Sequence, residues 1–211
     1  MSPAKTRIHQ AALRLFAEKG STQISVSELA QAAGIARGTI YNNLDSPDLL
    51  FQSVAAQLAD EMHQRVVASF GGVPDPARRL ANGIRFFIRR AHQEPHWGRF
   101  VSRFAFSNQA LQGLWSGPPM RDVLLGMNLG RYDFKPEQLQ SVIALVAGSV
   151  LSAIFLVLEG HSAWREAGSD AAELLLRGMG IPPQEARDIA HSELPHLPEL
   201  PQLQQPGRKA A

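Results

Sequence analysis

Ser25-Val26-Ser27-Glu28-Leu29-Ala30-Gln31-Ala32-Ala33-Gly34-Ile35-Ala36-Arg37-Gly38-Thr39-Ile40-Tyr41-Asn42-Asn43-Leu44 is the stretch that decides the fold of this chain. Its first four residues spell a capping box: the Ser25 hydroxyl can accept from the Glu28 N–H, and the Glu28 carboxylate can reach back to the Ser25 N–H. Ile24 and Leu29 stand at the two positions of a hydrophobic staple. A short helix is therefore predicted through Leu29, Ala30 and Ala33, stopping at Gly34. A second short helix follows from about Arg37 to Leu44, with Ile40 and Leu44 on one face. Upstream, Ile8, Ala11, Ala12, Leu15 and Phe16 repeat at helical spacing and Gly20 follows as a stop. Two short helices joined across a glycine and preceded by a supporting helix make a helix-turn-helix candidate. Spacing alone also allows an ordinary turn between two core helices.

Working outward, nearly every periodic segment reads as helix. Ser46-Pro47-Asp48 opens a fourth: Ser46 is placed to cap, Pro47 suits the first turn, and Asp48 complements the positive helix end. It runs to about Phe70 and stops at Gly71-Gly72. Pro76 starts a fifth, with Leu80, Ile84, Phe87, Ile88 and Ala91 as its core stripe and Arg78, Arg85 and Arg89 roughly opposite. Trp97, Phe100, Val101 and Phe104 repeat at helical spacing, and Gly113, Gly117, Pro118 and Pro119 then break the chain. Helices follow from about Met120 to Asn128, from Pro136, and near Ala171–Met179 and Pro183–His191. Val142–Leu158 carries no charge, but it is short for a membrane span and contains Gly148, Ser149 and Ser152. It reads as a helix buried on several sides. Ala144, Gly148 and Ser152 recur every four residues, which allows close approach of another helix.

Composition narrows the class. The chain has 211 residues, 45% of them hydrophobic, enough for a sizeable core. It has no cysteine, which excludes disulfide scaffolds, cysteine nucleophiles and cysteine-ligated metals. Lys5, Arg7, Arg14, Glu18 and Lys19 interrupt any apolar signal core, so an intracellular, cytoplasmic protein is expected. Net charge is +2, but residues 65–103 alone carry eight arginines against Asp75 and Glu94. That belt is either a solvated helix face with local ion pairs or a surface turned toward phosphates. At the C-terminus, Leu194-Pro195, Leu197-Pro198 and Leu200-Pro201 recur at period three, with Leu203 continuing the series. In polyproline II geometry these leucines line one edge, which docks on the body or a partner unless the segment is disordered.

The wording from Leu29 to Tyr41, with Leu44, Ser46 and Leu50 behind it and Ala12, Phe16 and Gly20 ahead, closely resembles the DNA-binding region of the tetracycline-repressor family. The resemblance covers roughly residues 5–52. It implies an all-α homodimer with an N-terminal three-helix helix-turn-helix domain and a C-terminal helical ligand-binding and dimerisation domain. It further implies a repressor released from a near-palindromic operator when a small molecule binds. Residues 1–52, 53–191 and 192–211 are expected as DNA-binding domain, ligand-binding domain and Leu-Pro tail. Ser25, Arg37, Gly38, Thr39, Tyr41, Asn42 and Asn43 are the candidate DNA contacts. Gly38 permits close approach, the hydroxyls of Thr39 and Tyr41 suit phosphates, and Arg37 or an Asn can reach base edges. The chain departs from the family pattern at Ala36, at Leu44, and at Pro47, where a phosphate-contacting lysine is common.

For the effector, Phe87, Trp97, Phe100, Phe104, Trp115 and Met127 suit an apolar pocket, and Arg103 a polar end to it. An anionic amphiphile would meet both features. Ala144, Gly148, Leu151, Ser152 and Phe155 are the expected dimer face. His92 and His96 are four apart, a metal-compatible spacing, but Pro95 interrupts the helix between them, and no metal or cofactor is expected. No phosphate loop or hydrolase motif occurs, so no enzyme is expected. The rival readings are a partner-dependent regulator and a helical small-molecule-binding protein with weak DNA reading.

Overall fold

The computed structural model describes residues 2–44 and 46–198. Among them no strand occurs; eleven α-helices follow in order. The first three are α1 (Pro3–Lys19), α2 (Val26–Ala33) and α3 (Arg37–Asn43). A 3-10 turn at Pro47–Leu49 leads into α4 (Leu50–Ala68). Then come α5 (Pro76–Gln93), α6 (Pro95–Phe104), α7 (Gln109–Ser116) and α8 (Pro118–Asn128). The last are α9 (Leu139–Leu158), α10 (Trp164–Gly178) and α11 (Pro183–His191). The fold is all-α, as the periodicity requires.

α5 is the axis of the larger part. α6, α8, α9, α10 and α11 all pack against it. It is therefore buried on most sides, and of the three arginines read as its outer face Arg78 is exposed, Arg89 half-exposed and Arg85 buried. Arg85 and Arg90 are buried. Arg79 pairs with Asp122 at 2.7 Å. Arg90 meets Glu61 at 3.0 Å and Glu94 at 3.2 Å, and its guanidinium lies over the Trp97 ring. Arg65, Arg79 and Arg90 thus spend their charge inside the subunit, joining α4, α5 and α8, while Arg78, Arg99 and Arg103 are exposed.

An aromatic cluster ties the first three helices to the rest. Phe51, in the first turn of α4, stands 5.1 Å from Phe16 of α1, and 5.5 and 5.0 Å from Phe100 and Phe104 of α6 (ring centroids). α6 also packs along α1. The helix-turn-helix is thus seated on one continuous core.

Two local expectations fail for identifiable reasons, and one open alternative is decided. Ser46 makes no side-chain cap; a 3-10 turn starting at Pro47 leads into α4 instead. α7 was not legible, because Gly113 lies inside it and looked like a break. Asn108 decides the matter by accepting from the Leu111 N–H at 3.1 Å while its amide donates to Gln52 at 2.8 Å. The first two Leu-Pro pairs dock on the body: Leu197 is buried, Leu194 packs on the core, and Arg65 donates to the Pro198 carbonyl at 3.0 Å. Leu200-Pro201 and Leu203 lie outside the described residues.

Candidate nucleic-acid interface and interior cavity

The turn between α2 and α3 is built as the sequence requires. Both arms of the capping box form: the Glu28 N–H donates to Ser25 Oγ at 3.2 Å, and the Ser25 N–H donates to Glu28 Oε2 at 3.0 Å. Lys19 also pairs with Glu28, and together with Ser25 it holds that carboxyl down to about 2. Gly34 ends α2 at φ +62°, a left-handed conformation that a side chain would strain. Ile40, fully buried, anchors α3 and turns its opposite face outward.

That face carries Arg37, Gly38, Tyr41 and Asn42, all exposed, with Thr39 half-buried. A Cβ at Gly38 would meet nothing within 4 Å in the subunit, so its small size leaves open space on the outward side. Two candidates stand differently. The Ser25 hydroxyl also donates to Glu28 at 2.9 Å, so its bonding capacity is committed to the cap. The Asn43 amide donates to the Thr39 carbonyl at 2.9 Å and accepts from Ser2 Oγ at 3.0 Å, which pins it to the start of α1. Asn42 is thus left as the exposed, unpinned asparagine of the two.

The neighbouring cations are largely consumed. Arg7 donates to the carbonyls of Ala33 and Gly34, and Arg14 to that of Ala32, together closing the C-terminal end of α2. Arg37 forms no ion pair among the described residues and is the exposed cation on α3.

Inside the larger part, α4, α5, α7, α8 and α9 enclose a cavity between Val66, Phe70, Leu80, Ile84, Phe87, Trp115 and Val146. Its volume is about 20 Å³, room for about one water. Its polar groups are His63, Arg79 and Asp122. His63 Nε2 and Trp115 Nε1 are buried without a partner among the described residues. Burial lowers the pKa of His63, so the ring is held neutral. Burial raises that of Asp122, while Arg79 pulls against it. Unpartnered buried polar atoms cost free energy unless something fills the space beside them.

Of the seven expected ligand contacts, the cavity brings together Phe87 and Trp115. Trp97 stands behind Phe87, ring centroids 5.8 Å apart, beneath Arg90. Phe100 and Phe104 belong to the cluster around Phe51. Arg103 is exposed and lies against Gly20. Met127 is half-buried and off the lining. Aromatic spacing marked these residues as interior without saying which interior. His63 was missed because a lone histidine on a long helix carries no signal in sequence. His92 stacks on Trp164 and His96 faces Glu18, so the two histidines point to different partners.

α9 buries Ile143, Val146, Ala147, Val150 and Ile154 and leaves the opposite face uncovered. That face presents Ala144, Leu145, Gly148, Ser152, Phe155 and Leu156 at helical spacing, with Leu174 of α10 also exposed. Leu151, expected on the same face, is buried within the subunit. Pro136–Leu158 is the segment among the described residues long and apolar enough to cross a membrane. Its inward half is packed against α5, α6, α8 and α10, which is how a core helix with one open face behaves.

Comparison with known proteins agrees with this geometry. The chain is 30% identical over 92 residues to an uncharacterized HTH-type transcriptional regulator of Mycobacterium tuberculosis, Rv1255c, covering 44% of this chain and 46% of that one. It is 31% identical over 109 residues to the HTH-type transcriptional regulator EthR of Mycolicibacterium smegmatis, covering 50% and 49%. The matches thus span about half the length of these relatives. The structure of RolR in complex with resorcinol is similar over 92% of this chain and 96% of that one, with 26% identity and a TM-score of 0.65. Residues 8–54 match the bacterial regulatory proteins of the tetR family, and residues 75–192 match the tetracyclin repressor-like C-terminal domain. With its helix-turn-helix seated on a helical core and both halves matched, the chain belongs to the tetracycline-repressor family of transcriptional regulators.

Proposed function

We propose that this protein is a homodimeric, sequence-specific DNA-binding repressor that acts in the cytoplasm and is released by a small aromatic effector. The observation that carries the reading is the outward face of α3, with Arg37, Tyr41 and Asn42 exposed around an open Gly38. Arg37 and Asn42 read base edges, and Thr39 and Tyr41 bond phosphates. The uncovered face of α9 with Leu174 pairs two subunits, setting two copies of α3 one helical turn of DNA apart. The domain boundary expected at residue 52 falls in the first turn of α4, so the DNA-binding unit and the core share that helix. The role is binding and release, not catalysis.

The cavity supports a neutral aromatic effector carrying a hydroxyl. Its walls are apolar, and its one cation, Arg79, is already paired with Asp122. An anion would therefore have to break a buried pair, which argues against the anionic amphiphile. A phenolic hydroxyl offers both donor and acceptor to His63 Nε2 and Trp115 Nε1. RolR, bound to resorcinol, is consistent with this class. Because the cavity holds about 20 Å³, a ring can enter only if its walls move apart. α4 carries His63 and Val66 at the cavity and Phe51 under the helix-turn-helix, so a shift of α4 reaches α3.

Selection of bound duplexes from a random pool at near-physiological salt tests the first part. A near-palindrome should emerge; a folded dimer that enriches nothing would favour the rival, a small-molecule-binding protein with weak DNA reading. With an operator in hand, dihydroxybenzenes should release it and aliphatic carboxylates should not. Release by the carboxylates alone would overturn the effector class.

A further inference from the structure

A second concavity lies between α5, α10 and the segment after α11, on residues the proposed function does not use. Arg85 is its buried cation, 9% exposed. Its stem crosses α10 beside Gly168, where a Cβ would stand 3.5 Å from Arg85 Cγ. Its Nη2 donates to the Ser192 carbonyl at 2.7 Å. Its Nη1 is buried with no acceptor, and the side chain has no carboxylate partner among the described residues. A buried cation held by one carbonyl is incompletely compensated.

The surroundings point the same way. Arg89 and Arg165 also line the concavity, and both guanidinium groups lie over the Trp164 ring, at 5.6 and 4.4 Å from its centroid. Neither forms an ion pair among the described residues. α10 begins here at Trp164, and its N-cap, Ala163, supplies no side-chain acceptor to the first N–H groups. Ser169 lends a buried hydroxyl residue to the wall. The space is open and measures about 760 Å³. Glu166, Asp170 and Glu193 share the lining and are exposed. Their charge opposes a long polyanion and leaves the buried guanidinium for a compact one.

We propose that this concavity is a second small-molecule site that takes a compact oxyanion, a phosphate or carboxylate group, on Arg85, Arg89 and Arg165. The anion pairs with the accessible guanidinium groups of Arg89 and Arg165, offsets the uncompensated charge of Arg85 behind them, and bridges α5 to the start of α10. The C-terminal segment, held by Arg85 through Ser192, forms one wall.

The test uses the full-length protein, with sodium pyrophosphate and sodium malonate as probes at constant ionic strength. Titration calorimetry measures binding. Tryptophan fluorescence locates it, because Trp97 and Trp115 are buried and Trp164 is the half-exposed indole. Saturable binding of either probe is expected, with a fluorescence change that Trp164→Phe abolishes; the tighter probe identifies the group recognised. Arg85→Gln and the double variant Arg89→Gln/Arg165→Gln should each weaken binding on the order of tenfold or more, while Arg37→Ala, on the α3 face, should not. If Arg85→Gln fails to fold, the double variant decides. Linear, non-saturating titrations with both probes, or wild-type affinity in the double variant, would overturn the proposal.

Discussion

Replacing Phe51 by alanine tests whether the helix-turn-helix is held to the core by the aromatic cluster. Phe51 is 6% exposed, so almost the whole ring is removed from a packed site. It meets three rings at 5.0–5.5 Å, two of them edge-on. Truncating a buried phenylalanine costs about 3–5 kcal/mol, combining lost transfer energy with the cavity left behind. Each aromatic pair adds about 0.5–1.5 kcal/mol beyond area, so three pairs place this site toward the upper end. Against a total stability of roughly 5–15 kcal/mol the loss is large, and it should lower the melting temperature by roughly 6–20 °C. The assay is urea unfolding at one fixed protein concentration, since dimerisation contributes to apparent stability. A double-mutant cycle of Phe51→Leu with Phe104→Leu should return a coupling of about 0.5–1.5 kcal/mol. A loss under about 1 kcal/mol for Phe51→Ala, with no coupling in the cycle, would refute the idea that these rings join the two parts.

Gly148→Leu should block dimerisation without unfolding the subunit, because a Cβ there meets nothing within 4 Å in the subunit; a normal dimer by sedimentation would remove α9 from the interface. Arg37→Ala should weaken operator binding and lower the salt slope by about 1, whereas Arg85→Gln should leave that slope unchanged because Arg85 is buried. Asn42→Ala should relax specificity at one base pair by about 1–3 kcal/mol, and an unaltered selected sequence would exclude it from base reading. His9 and His63 are both held neutral by burial, their pKa values lowered from 6.5. The unfolded chain then binds more protons below that pH, so stability should fall as pH drops through 6.5, and His63→Gln should flatten part of the slope. A melting temperature constant from pH 7.5 to 5.5 would contradict it.

The helix-turn-helix was legible because its signals are local. Ser25 and Glu28 cap each other across three residues, and Gly34 needs only its own backbone. The outward set on α3 follows from the same periodicity, with Ile40 fixing which side faces in. Local rules failed where a distant partner decided. Gly113 looked like a break until Asn108 and Gln52 closed the start of α7. Asn43 looked equal to Asn42 until Ser2, far away in sequence, bonded it.

By itself, then, the sequence determined the helical class, the helix-turn-helix motif and the long apolar helix, since capping and periodicity act within a few residues. Only the tertiary structure decided which aromatic rings line the cavity and which join the two parts. Phe87 and Phe100 have the same chemistry and differ only in which helices surround them. It also turned Arg79, Arg85 and Arg90 of the arginine belt inward, because α5 is packed by five other helices. A charge there is governed by the partner that folding brings to it: Asp122 for Arg79, Glu61 and Glu94 for Arg90, and for Arg85 a single carbonyl.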